Sequence, residues 1–131
     1  MVEKYFENTG RRKRSVARVR VYEGSKVSTI NGKPVTEYLK GFTKGELYVE
    51  RPLIVTGLEK THYFTAKVLG GGITGQVDSV RLGLARAIYK MNPELKGVLR
   101  KEGLVTRDPR EVERKKYHQL KARKRPQFSK R

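Results

Sequence analysis

Tyr63-Phe64-Thr65-Ala66-Lys67-Val68-Leu69-Gly70-Gly71-Gly72 places Phe64, Ala66 and Val68 on one face and then breaks at three glycines. From about Thr74 the apolar side chains recur instead at Val77, Val80, Leu84, Ile88 and Met91, with Arg81, Arg86 and Lys90 mostly off that stripe. A period of two followed by one near 3.6 predicts a half-buried strand, a tight glycine turn and a long amphipathic helix. Downstream, Asn92-Pro93 closes this helix and opens another, Asn92 as its cap and Pro93 as its first residue. Leu95 and Leu99 anchor the second helix and Gly103 ends it.

Upstream, residues 15–22 alternate again, with Ala17, Val19 and Val21 on one side and Val16, Arg18, Arg20 and Tyr22 on the other. This predicts a strand with a cationic outer face. Glu23-Gly24-Ser25 reads as a turn and 26–30 as a short strand returning in a hairpin, stopping at Asn31-Gly32, a pair suited to positive φ. Pro34 opens a short helix through Lys40, which Gly41 ends. Thr43-Lys44-Gly45-Glu46 has capping-box spacing, predicting a helix to about Arg51 that Pro52 interrupts, while 53–55 suits a short strand. Hairpins preceding helices give an α+β class.

The chain of 131 residues fits one domain and carries a net charge of +18, which points to a polyanionic partner. The charge is unevenly placed. Residues 8–22 contain no acid and six cations, Arg11, Arg12, Lys13, Arg14, Arg18 and Arg20. Residues 114–131 contain no acid and nine cations: Arg114, Lys115, Lys116, Lys121, Arg123, Lys124, Arg125, Lys130 and Arg131. The remainder is close to neutral, so a globular body at 1–104 and an extended basic tail at 105–131 are expected. Like charges crowded in this way repel unless phosphates neutralise them. Beyond Leu104 the large apolar residues are too sparse for an independent core, and the segment needs a surface to lie on.

Arginine-rich arms without a zinc finger or zipper heptads suit irregular folded RNA better than a DNA groove. Tyr117 and Phe128 lie among the tail cations, where an aromatic ring either stacks on an unpaired base or anchors the tail to its own body. Gly70, Gly71 and Gly72 serve either close backbone approach to RNA or turn geometry alone. A phosphate-transferring enzyme built on that loop lacks a following Gly-Lys-Ser or Gly-Lys-Thr and a carboxylate pair for Mg²⁺. With no cysteine and two distant histidines, His62 and His118, no metal site, cofactor or catalytic set is expected. The apolar runs are short, so no membrane span and no signal core are expected. An RNA chaperone or nucleoid protein would use the same arms.

Gly10-Arg11-Arg12-Lys13-Arg14-Ser15-Val16-Ala17-Arg18-Val19 resembles the start of the family of the ninth protein of the bacterial small ribosomal subunit. So do 70–79 running into 82–87, and, at the end, Thr106-Arg107-Asp108-Pro109-Arg110, 113–117 and 122–131. The resemblance spans essentially the whole chain. It implies a single α+β domain like the second domain of ribosomal protein five, a mixed sheet with helices on one face and a left-handed βαβ crossover. It implies a cytoplasmic, non-enzymatic protein with no small-molecule substrate, bound to 16S rRNA in the head of the subunit. The rRNA contacts fall to Arg11, Arg12, Lys13, Arg14, Arg18, Arg20, Gly70, Gly71, Gly72, Arg114, Lys115, Lys116, Tyr117, Lys121, Arg123, Lys124 and Arg125. Ser129, Lys130 and Arg131 match the family residues that approach peptidyl-site tRNA, and the tenth and fourteenth proteins are the implied neighbours.

Overall fold

The computed structural model describes residues 4–41, 45–107, 109, 110, 117 and 123. Strands β1 (Tyr5–Arg12) and β2 (Ser15–Glu23) are followed by two-residue strands β3 (Thr29–Ile30) and β4 (Lys33–Pro34). Helices α1 (Val35–Tyr38) and α2 (Gly45–Thr56) lead to β5 (His62–Leu69) and the long α3 (Ile73–Met91). A 3₁₀ turn (Pro93–Leu95) opens α4 (Lys96–Lys101). The five strands form one mixed sheet in the order β1-β2-β5-β3-β4, antiparallel except where β3 runs parallel to β5.

One face of the sheet is covered and the other is open. Ser15, Ala17, Val19 and Val21 of β2 are buried while Val16 and Arg18 between them are exposed. On β5, Phe64, Ala66 and Val68 turn to the covered side as the alternation requires. There they meet Val77, Val80, Leu84 and Ile88, the expected stripe of α3. Gly10 and Gly83 let α3 lie directly on β1: a Cβ at Gly10 would stand 2.0 Å from the Ser79 carbonyl oxygen and 2.4 Å from the Gly83 nitrogen. Arg86 and Lys90 of α3 donate to the carbonyls of Thr9 and Glu7, covering the free edge of β1. Asn92 caps the 3₁₀ turn by accepting from the Glu94 amide, and Gly103 (φ 72°) ends α4, as expected from sequence.

Four local features add to or correct the sequence reading. The first is an addition: the segment preceding the turn at Lys13-Arg14, for which no element is expected from sequence, is a strand. Its inward residues Phe6, Asn8, Gly10 and Arg12 lack the apolar alternation that marks a strand, because packing there is against helix backbone. Second, 26–30 does not return against β2. Both edges of β2 are taken along their whole length by β1 and β5, so Thr29 and Ile30 add to the free edge of β5 instead. Asn31 (φ 53°) and Gly32 (φ 83°) do make a tight turn, between β3 and β4. Third, Pro52 lies inside α2 rather than ending it. Fourth, 53–55 belongs to that helix and is no strand. A mid-helix proline costs about 3 kcal/mol. Burial of Val49, Pro52 and Leu53, at about 1.5–3 kcal/mol for each large apolar side chain, offsets it. The first helix starts at Val35, one residue later than expected, with Pro34 at its cap. The capping box proposed at 43–46 lies outside the described residues for Thr43 and for the Glu46 side chain.

Candidate nucleic-acid interface

The hairpin between β1 and β2 turns on only two residues, Lys13 and Arg14, because Arg12 pairs directly with Ser15. Lys13 sits at φ 55°, where glycine is the unstrained choice. A lysine held there, flanked by exposed Arg11 and Arg14, concentrates three cations at a tight and strained tip.

The glycine turn after β5 packs against this tip. Ser15 Oγ donates to the Gly70 carbonyl at 2.8 Å, and Gln76 Nε2 donates to the same oxygen at 3.2 Å. A Cβ at Gly70 would meet the Arg14 carbonyl at 2.8 Å, and one at Gly71 would meet Ser15 Oγ at 2.1 Å. Both glycines also have positive φ, 77° and 67°. Turn geometry and close packing therefore account for Gly70 and Gly71. Gly72 is extended, exposed and has open space where a side chain would go. It leads into α3, whose first two residues, Ile73 and Thr74, are exposed.

Arg12 is placed differently from its neighbours. Alternation turns it inward, where it is 8% exposed and its Nε donates to Asp78 Oδ2 at 3.1 Å. A terminal nitrogen of Arg12 donates to the Arg110 carbonyl at 2.8 Å, tying the segment after α4 to β1. Asp78 also accepts from the Tyr48 hydroxyl, and the Arg81 guanidinium lies 4.1 Å over the Tyr48 ring. Burial, reinforced by the hydrogen bond to Asp78, holds the Tyr48 phenol above its ordinary range. These groups line a small cavity of about 150 Å³ with Arg11 and Thr106. Sequence reasoning misses Asp78, Tyr48 and Arg81 as partners, since a buried pair 66 residues apart leaves no spacing signal.

Arg18 and Arg20 project from the open face of the sheet and share Glu7, each with Nε 3.1 Å from one carboxylate oxygen. Arg20 also lies 4.7 Å over the Tyr5 ring. Arg123 and Tyr117 are exposed. Arg114, Lys115, Lys116, Lys121, Lys124, Arg125, Phe128, Ser129, Lys130 and Arg131 lie outside the described residues, as does His118. His62 Nδ1 is 2.8 Å from Thr61 Oγ1. Among the described residues no three His, Asp or Glu side chains gather as metal ligands, and no helix is long and apolar enough to cross a membrane. The arrangement brings Arg11, Lys13, Arg14 and the glycine turn together at one end of the sheet, with Arg18 and Arg20 on the adjoining open face.

Residues 10–131 match the family model described as ribosomal protein S9/S16. The chain is 48% identical over 126 residues to small ribosomal subunit protein uS9 of Acaryochloris marina, covering 96% of this chain and 92% of that one. It is 50% identical to the uS9 protein of Gloeothece citriformis with the same coverage. Against the uS9c protein of Pyropia yezoensis it is 51% identical over 127 residues, again covering 96% and 92%.

Proposed function

Since the chain belongs to the ribosomal protein S9/S16 family, a structural and non-enzymatic part of the small ribosomal subunit, we propose how it is held there and what it holds. The body, residues 1–104, supplies shape, and the basic extension, 105–131, supplies reach. Arg11, Lys13, Arg14, Arg18 and Arg20 neutralise phosphates of 16S rRNA in the head of the subunit, and the exposed turn at Gly72 lets backbone approach the same RNA. Arg12 contributes from behind, fixing the hairpin and the start of the extension through Asp78 and the Arg110 carbonyl. Arg114, Lys115, Lys116, Lys121, Arg123, Lys124 and Arg125 follow RNA backbone with Tyr117 among them. Ser129, Lys130 and Arg131 reach peptidyl-site tRNA and grip its phosphates without reading its sequence. The tenth and fourteenth proteins are the proposed neighbours.

The observation that carries this reading is the tip at 11–14: three exposed cations with no acid in the same stretch, one of them kept in a backbone conformation that disfavours lysine. Small subunits reconstituted with a chain lacking 129–131 test its farthest claim. They are expected to assemble normally and bind peptidyl-site tRNA more weakly, with a salt slope lower by about 1–2. Unchanged tRNA affinity and slope would refute the tRNA contact.

A further inference from the structure

The open face of the sheet holds a recess apart from the hairpin tip. Register across the strands orders this face into rows. Tyr5, Tyr22 and Tyr63 stand side by side, followed by Glu7, Arg20, Thr65 and Thr29, then by Thr9, Arg18 and Lys67. Between β2, β5 and β3 the rows border a groove of about 380 Å³ with Arg18, Arg20, Lys67, Thr29, Thr65 and Asn31 in its walls. Gly32 and Ala66, whose side chain turns to the core, complete its lining.

Two features identify the occupant. Arg18 and Lys67 are direct cross-strand partners, a like-charge pairing that destabilises a sheet unless an anion lies between or above the two groups. Glu7 answers Arg18 and Arg20, whereas among the described residues Lys67 has no acidic partner. The groove therefore has excess positive charge aimed at a recess of the size that takes one small ligand. The neighbouring tyrosine row closes this end of the face: the ring centroids of Tyr5 and Tyr22 are 5.6 Å apart and those of Tyr22 and Tyr63 5.2 Å, so the rings pack on one another. Cations around a recess and threonine hydroxyls in its wall are the chemistry that recognises the phosphate and base edge of an unpaired nucleotide. A duplex presents ridges of phosphate and no single base to insert.

We propose that this groove receives one unpaired nucleotide of 16S rRNA, its phosphate between Arg18 and Lys67 and its base against Thr65 and Thr29. The inference rests on the proposed binding to rRNA and adds a site distinct from the hairpin tip and the extension. The test uses the full chain reconstituted into small subunits with benzoylphenylalanine in place of Thr65, and in parallel Lys67→Gln, a change at an exposed side chain. Photolysis is expected to join position 65 to one single-stranded stretch of 16S rRNA. Lys67→Gln is expected to lower the salt slope of binding to 16S rRNA by about 0.7–0.9 without lowering the urea midpoint of the free protein, since it removes a like-charge pair. Cross-linking to a ribosomal protein or to paired rRNA, or a slope that does not move, would overturn the groove assignment while wild-type rRNA binding stands. Absence of rRNA binding by the wild-type chain would overturn the broader reading as well.

Discussion

At Gly10 the hydrogen in place of a side chain decides how close helix and sheet can come, because the atoms a Cβ would strike are backbone atoms of α3 that cannot rotate away. Gly10→Ala is therefore expected to destabilise the protein by about 2–3 kcal/mol in urea unfolding. A change within about 0.5 kcal/mol would show that α3 moves freely on the sheet. Asp78 and Glu7 offer a second contrast. Asp78→Asn leaves the Arg12 guanidinium in a buried site without its counter-charge and is expected to cost about 3 kcal/mol. Glu7→Gln disturbs only partly exposed pairs on the open face and is expected to cost no more than about 1 kcal/mol. Equal effects in urea titration would deny that Arg12 is the structural arginine of the basic cluster. Tyr48 adds a pH dependence. Its raised pKa means that the folded state keeps the phenolic proton longer than the unfolded chain. Its contribution is therefore complete below about pH 10 and is lost as pH rises through the folded value. Tyr48→Phe is expected to flatten the fall in stability above about pH 10 relative to wild type. Parallel curves would show that the hydroxyl is not held in the folded state. None of these roles is visible in sequence, where Arg12 looks like its neighbours and Asp78 stands alone.

At the scale of elements, legibility follows the side-chain period. Strand β5, the glycine turn and α3 are all readable because each buries one face against apolar partners, and β2 is readable for the same reason. Strand β1 is not, since its inward positions hold Asn8, Gly10 and Arg12 and its packing is set by helix backbone and an ion pair. Strand β3 is recognisable as a short strand but not by its partner, because pairing depends on which edge the remaining chain leaves free. Helix α2 runs past the end expected at Pro52, where burial outweighs a local rule. Asn31 replaces ladder bonds that the two-residue β3 cannot make: its Oδ1 accepts from the Val68 amide at 2.8 Å and its Nδ2 donates to the Val68 carbonyl at 3.2 Å. Asn31→Ala is expected to cost about 1–3 kcal/mol and to speed hydrogen exchange at the Val68 amide. Exchange at the wild-type rate would show that β5 does not depend on that bridge.

Across the whole molecule, charge separates from shape. The described body pairs many of its cations, Arg12 with Asp78, Arg51 with Glu102, and Arg18 and Arg20 with Glu7. The exposed tip at 11–14 and residues 114–131 carry cations with no acid in the same stretch. This division is legible from the order of charged residues alone. The open groove is not, because it exists only once Lys67 and Arg18 are brought into register. The most direct measurement is the salt dependence of binding between the full chain and the 16S rRNA head domain, for wild type and for a variant with Arg11, Lys13 and Arg14 changed to glutamine. A steep wild-type slope that falls by about 2 in the variant is the expected result, at roughly 0.7–0.9 for each phosphate left without its cation. Identical slopes for the two chains would contradict the claim that rRNA phosphates are what the cationic tip meets.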